Sequence, residues 1–225
     1  MKSAKRYLTN IPLIILLAAN LIPLFGVLYF GWDAFLIVLL YWSENLAVGF
    51  YNILKMAFTR MSHPFAHLSK LFLIPFFMVH YGGFMAIHGI FILAMFKKVS
   101  DIPMGKGSWP CFFIFLQLLL NVIRQMYSVI PSNMKFALLA LFISHGVSFV
   151  YNYLLKGEFT TSKPDKLMGQ PYARVVVMHI TILVGGFLAM SLGSPLGLLL
   201  VLIVLKTILD VKLHLREHRA VQKIQ

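Results

Sequence analysis

Residues 71–96 read LFLIPFFMVHYGGFMAIHGIFILAMF, 26 consecutive positions without Asp, Glu, Lys or Arg. A helix of that length covers roughly 39 Å at about 1.5 Å per residue, more than the ~30 Å hydrocarbon core of a bilayer. Six further apolar stretches accompany it: Ile11 to Phe30, Ala34 to Ala57, Cys111 to Ile130, Phe136 to Leu155, Val175 to Leu192, and Leu196 to about Leu213. Polar or helix-breaking residues gather between them, at Gly31-Trp32-Asp33, around Pro64, from Lys97 to Pro110, at Pro131-Ser132-Asn133, from Lys156 to Pro171, and at Gly193-Ser194-Pro195. The pattern predicts an all-α fold, a polytopic transmembrane helical bundle of six to seven helices. A single domain over residues 1–225 is expected, with a basic amphipathic tail from about residue 206.

Composition agrees. Hydrophobic residues make up 60% of the chain and charged residues 12%, against about 25% charged in an ordinary soluble domain. The net charge of +13 comes from 20 Lys and Arg against 7 Asp and Glu. These basic residues sit at segment ends and in short connections, where they meet lipid headgroups, and no basic stretch is interleaved with aromatics in the manner of a nucleic-acid surface. The expected partner is therefore the lipid bilayer, not nucleic acid. Cys111 is the sole cysteine, which excludes an intrachain disulfide and a cysteine metal cage.

Lys2, Lys5 and Arg6 precede the first apolar stretch. That stretch is longer than a signal-peptide core, and we read it as an uncleaved helix entered from the cytoplasmic side. Lys55, Arg60 and Lys70 agree with a cytoplasmic N-terminus. Seven strictly alternating crossings, however, would carry Lys206, Lys212, Arg216, Arg219 and Lys223 outside. A last segment lying along the membrane would instead give six crossings and a cytoplasmic tail.

Ionisable residues inside membrane segments cost roughly 2.5–3.5 kcal/mol each on insertion scales and mark candidate sites. The second segment holds Tyr41-Trp42-Ser43-Glu44-Asn45, with Asn45, Gly49 and Asn52 along one face. The third holds His80-Tyr81 and His88, the fifth His145, Ser148 and Asn152, and the sixth His179 behind Arg174. With alternating crossings, Glu44, His88, His145 and His179 lie about 15, 12, 15 and 6 Å from the outer ends of their helices. This depth convergence predicts a polar site in the outer half of the bundle. Glu44, His88, His145 and His179 are its candidate catalytic groups; Asn45, Asn52, Ser148, Asn152 and Arg174 are candidate contacts for a lipid or small-molecule substrate.

Three chemistries fit that set. Imidazoles with a carboxylate suit zinc or non-haem iron, with His88, His145 and His179 as ligands. The same groups suit a proton relay in a coupled transporter, because histidine titrates near neutrality. They also suit a structural or assembly role without chemistry, since interhelical hydrogen bonds hold membrane bundles together. A second candidate metal set, Asp210, His214 and His218, follows from i, i+4 spacing in the tail, where Lys206 and Asp210 equally read as a surface ion pair. His63 and His67 share that spacing. Gln117, Asn121 and Arg124 form a polar stripe on the fourth segment, and the glycines at 82, 83, 185 and 186 permit close helix approach.

Tyr41-Trp42-Ser43-Glu44-Asn45 with Gly49 and Lys55, the His80 to His88 stretch, Ser144-His145 to Tyr153, and Arg174 to His179 together resemble an uncharacterised family of prokaryotic polytopic membrane proteins, a domain of unknown function. The resemblance covers most of the chain. It implies a multi-pass protein of the inner cell membrane and carries no activity. Gly146-Val147-Ser148 with His179 superficially resembles the rhomboid Ser/His pairing, but no helix intervenes here as it does in rhomboids. His214 and His218 resemble the terminal His-x-x-x-His of alkaline ceramidases, whose earlier Ser and His pattern this chain lacks.

Overall fold

The computed structural model describes residues 21, 25–61, 67–98, 109–110, 113–194 and 196–222, the side chains of 133 and 213–222 excepted. The expected first helix falls largely outside the described residues, as do His63 and the side chains of His214 and His218. Among the described residues every regular element is helical. The helices are α1 (Ala34–Phe58), α2 (Leu68–Met95), α3 (Ile114–Val129), α4 (Ser132–Ser148, continued by a π-helix over Phe149–Leu155), α5 (Pro164–Gly169), α6 (Tyr172–Ile180, followed by a π turn over Thr181–Gly185), α7 (Gly186–Leu192) and α8 (Leu196–Gln222). Among the described residues four runs are long and apolar enough to cross a membrane: α1, α2, Met134–Leu155 and Pro164–Leu192; α3 is a shorter apolar helix.

The helices form two compact units, Leu39–Val175 and Met1–Val38 with Val176–Gln225. In the first, contacts read at successive levels give the direction of each helix. Trp42 Nε1 donates to Met85 O (2.9 Å), Tyr81 Oη to Asn45 O (2.8 Å) and Lys70 Nζ to Ala57 O (2.9 Å), so α1 and α2 are antiparallel. Along α2 and α3 the levels rise together. A Cβ built on Gly83 would touch Phe115 Cδ1 at 3.4 Å, and one on Gly89 would collide with Val122. These two helices are parallel, and α3 starts where α2 is halfway along.

The ring of Tyr51 lies 5.1 Å from Phe142, and that of Phe58 6.1 Å from Phe149, so α4 runs parallel to α1. Arg60 N donates to Phe159 O (2.9 Å) and Asn52 Nδ2 to Leu167 O (3.0 Å), which sets α5 and α6 antiparallel to α1. Strict alternation thus fails after α2: α3 repeats its direction, and α4 and α6 run opposite to the sense on which the depth counts rested. The cause is packing. Glycines on α2 let α3 lie against it at close range, and helix direction follows the packed faces rather than the order of segments.

The C-terminal end of α1 is finished by side chains from three elements. Lys70, itself buried, donates to Ala57 O and to Thr59 O (2.5 Å), and the Thr59 and Tyr153 hydroxyls converge at 2.7 and 2.8 Å on Lys55 O, which also accepts from Thr59 N at 3.0 Å. Placing a cation there also suits the negative end of the helix dipole.

In the second unit, α7 turns into α8 through Gly193, whose φ of +61° favours glycine. Ser194 N then reaches Ala189 O at 3.1 Å, closing the helix end. Leu198, Leu199, Leu202 and Ile203 of α8 are buried. The helix continues past the boundary expected near Leu213.

Candidate functional site

Glu44 lies ten residues into α1, about 15 Å from its start. Its Oε1 accepts from Arg174 Nη1 at 2.8 Å, and the two side chains keep 20% and 25% of their surface accessible. Asn45, one residue on, is wholly buried. Its Nδ2 donates back to Tyr41 O (2.8 Å) and its backbone carbonyl accepts from Tyr81 Oη, while its Oδ1 has no hydrogen-bond partner among the described residues.

Tyr81 reaches that carbonyl because of Gly49. The residue at i+4 flanks the carbonyl of residue i on a helix, and any Cβ on Gly49 would land on the Tyr81 ring. Tyr81 is further fixed by Phe77, stacked at 4.8 Å, and by the edge of Tyr172 at 6.0 Å. The Tyr172 hydroxyl in turn meets His80 Nδ1 at 2.7 Å. Arg174, Tyr41 and Tyr172 all lie within electrostatic range of Tyr81. Three helices, α1, α2 and α6, therefore bring together Glu44, Arg174, Asn45, Tyr41, Tyr81, Tyr172 and His80.

The structure pairs two expected site residues, Glu44 and Arg174, and sets a third, Asn45, beside them. His88 is buried on α2 with its ring 6.2 Å from Phe84. Asn52 is occupied by Leu167 O. His145 Nδ1 meets Leu141 O of its own helix at 3.1 Å, and Asn152 Nδ2 donates to Ser148 Oγ at 3.2 Å on the more exposed side of α4. These three belong to a helix whose level alongside α1 is that of Tyr51 to Phe58, about two turns or more from Glu44. His179 belongs to the other compact unit and is exposed. Among the described residues no three His, Cys, Asp or Glu side chains gather to hold a metal ion. Asp210 is half-buried on α8.

Tyr81, Tyr172 and His80 were not among the expected site residues. Tyr81 carried a legible signal, since it aligns with His88 on one face and precedes Gly82-Gly83. Tyr172 and His80 carried none beyond sitting beside Arg174 and Tyr81.

The model of a family of unknown function (DUF6498) matches residues 2–225, and the chain belongs to that family. No curated protein and no solved structure matches the chain.

Proposed function

We propose that this member of DUF6498 is a multi-pass membrane protein that binds an amphiphilic molecule by its polar end at the Glu44–Arg174 pair. The supporting observation is an ion pair in the interior of a membrane-length helix whose side chains remain a fifth to a quarter accessible. Hydrocarbon at that surface would leave both charges poorly solvated, whereas a polar group would solvate them. Asn45 adds a chemical preference. An unpaired buried acceptor costs about 1–3 kcal/mol until a donor meets it. A ligand carrying an N–H or O–H donor beside an anionic group complements the Glu44 carboxylate and the Arg174 guanidinium, and its donor meets Asn45 Oδ1, wholly buried on the next residue, only when the side chains covering that atom move aside.

Phosphatidylethanolamine has that chemistry, an ammonium donor next to a phosphate. The polar segment from Lys156 to Gln170 lies alongside the second half of α1, because Leu167 is level with Asn52. A headgroup entering from that side has about 12 Å, eight residues of α1, to travel to Glu44. Native mass spectrometry of the full chain titrated with phosphatidylethanolamine tests the reading. Retention weakened about tenfold or more in Glu44→Gln and in Arg174→Gln is expected; unchanged retention in both folded variants overturns it.

A further inference from the structure

A groove of about 680 Å³ runs along the face of α2 that turns toward the start of α3, lined from Leu71 through Pro75, His80 and Gly83 to Ile87, with Phe115 opposite. Its polar contribution comes from His80. The volume lies within the roughly 300–1,000 Å³ of small-molecule sites, but the shape is elongated: Leu71 to Ile87 is sixteen residues of helix, about 24 Å. Such a groove fits a chain laid along the helix rather than a compact molecule. Two features of the sequence hollow it out. Gly83 contributes no side chain to the floor, and Pro75 puts a short ring where α2 would otherwise carry a long residue.

We infer that this groove seats one hydrocarbon chain of a membrane lipid. The inference rests on the reading above only in placing α2 in the membrane, where the medium against this face is hydrocarbon. A lining this apolar over 24 Å offers nothing to a polar occupant except at His80. There His80 is held by the Tyr172 hydroxyl, and Tyr172 packs edge-on against Tyr81, the donor to Asn45 O. The hydrocarbon seat therefore touches the polar site only through His80, which lines the groove and meets the Tyr172 hydroxyl.

The test uses the full chain in nanodiscs of phosphatidylcholine containing a few per cent of phosphatidylcholine with a diazirine in its acyl chain, irradiated and mapped by peptide mass spectrometry. Adducts per residue over 71–87 and 113–115 should exceed those on the exposed face of α4, at Phe136, Leu139, Ile143 and Val147, several-fold. Gly83→Leu should lower the groove adducts several-fold and leave those on α4 unchanged. A Cβ at Gly83 meets Phe115 at 3.4 Å, and the rest of the leucine must enter the groove; Ile87→Trp serves as a second filling variant should Gly83→Leu not fold. Equal labelling of groove and α4, or adducts indifferent to both filling variants, would overturn the inference. Glu44→Gln should leave groove adducts intact, so unchanged headgroup retention in that variant with full groove labelling counts against the polar site alone.

Discussion

Glu44 and Arg174, 130 residues apart in the chain, meet at 2.8 Å and tie α1 to α6. Removing either partner strands a charge on a helix long and apolar enough to cross a membrane. Glu44→Gln and Arg174→Gln should each lower the melting temperature in detergent, and the double variant should recover much of the loss. A double-mutant cycle is expected to give a coupling of about 1–3 kcal/mol, reduced from the value of a fully buried pair by the accessible fifth to quarter of each side chain. Additive losses would show that the two side chains do not act on each other.

Gly49 and Gly89 are where α1, α2 and α3 come closest. A Cβ on Gly89 would lie 2.9 Å from Trp42 Cζ2 as well as against Val122, and one on Gly49 would displace Tyr81. Gly89→Ala and Gly49→Ala should each cost about 1–3 kcal/mol by overpacking, measured by thermal or denaturant unfolding. Gly169→Ala, with nothing within 4 Å of the added atom, is the control and should be near neutral.

The directions of the helices make a prediction free of any absolute orientation. In a Cys111→Ala background, single cysteines at Arg60 and Ser162 should react with an impermeant maleimide from the same side of the membrane, and one at Lys135 from the other. Strict alternation of segments predicts that Arg60 and Ser162 label from opposite sides.

The network at the end of α1 should behave as one unit. Tyr153→Phe and Thr59→Val each remove a donor aimed at Lys55 O, and the two hydroxyls also contact each other at 2.6 Å. Each should cost about 0.5–1.5 kcal/mol, and the pair less than the sum, in unfolding experiments on the three variants.

Much of this was readable from the chain. Uninterrupted apolar runs located α1, α2, α4 and the run through α6 and α7 to within a few residues, because hydrocarbon length and backbone hydrogen bonding leave a helix little freedom. Glu44, Asn45 and Arg174 stood out as polar groups in an apolar setting, and the glycines at 82 and 185 are packing sites, as expected. What escaped was direction and pairing. That α3 runs with α2 depends on which faces meet, and Gly82 and Gly89 say only that something comes close. The imidazole of His145 looked available but meets its own Leu141 carbonyl, a local alternative that spacing does not reveal. Glu44 found its partner in Arg174, which only the antiparallel register of α1 and α6 brings within reach.

Asn45 separates binding from stability. Asn45→Leu removes an acceptor that is buried without a partner at the cost of one bond to Tyr41 O. Its melting temperature should stay level or rise, while headgroup discrimination falls, the trade expected of a residue kept for binding. A large drop in stability with discrimination intact would assign Asn45 to the scaffold.

The most direct test of the polar site is competition on the wild-type chain: equimolar phosphatidylethanolamine and phosphatidylcholine with identical acyl chains, and the retained lipid identified by native mass spectrometry. Choline carries no N–H donor. Retention favouring ethanolamine by about tenfold, as one charge-assisted hydrogen bond implies, and lost in Glu44→Gln, is the predicted result; equal retention of the two lipids by the wild-type protein would contradict it.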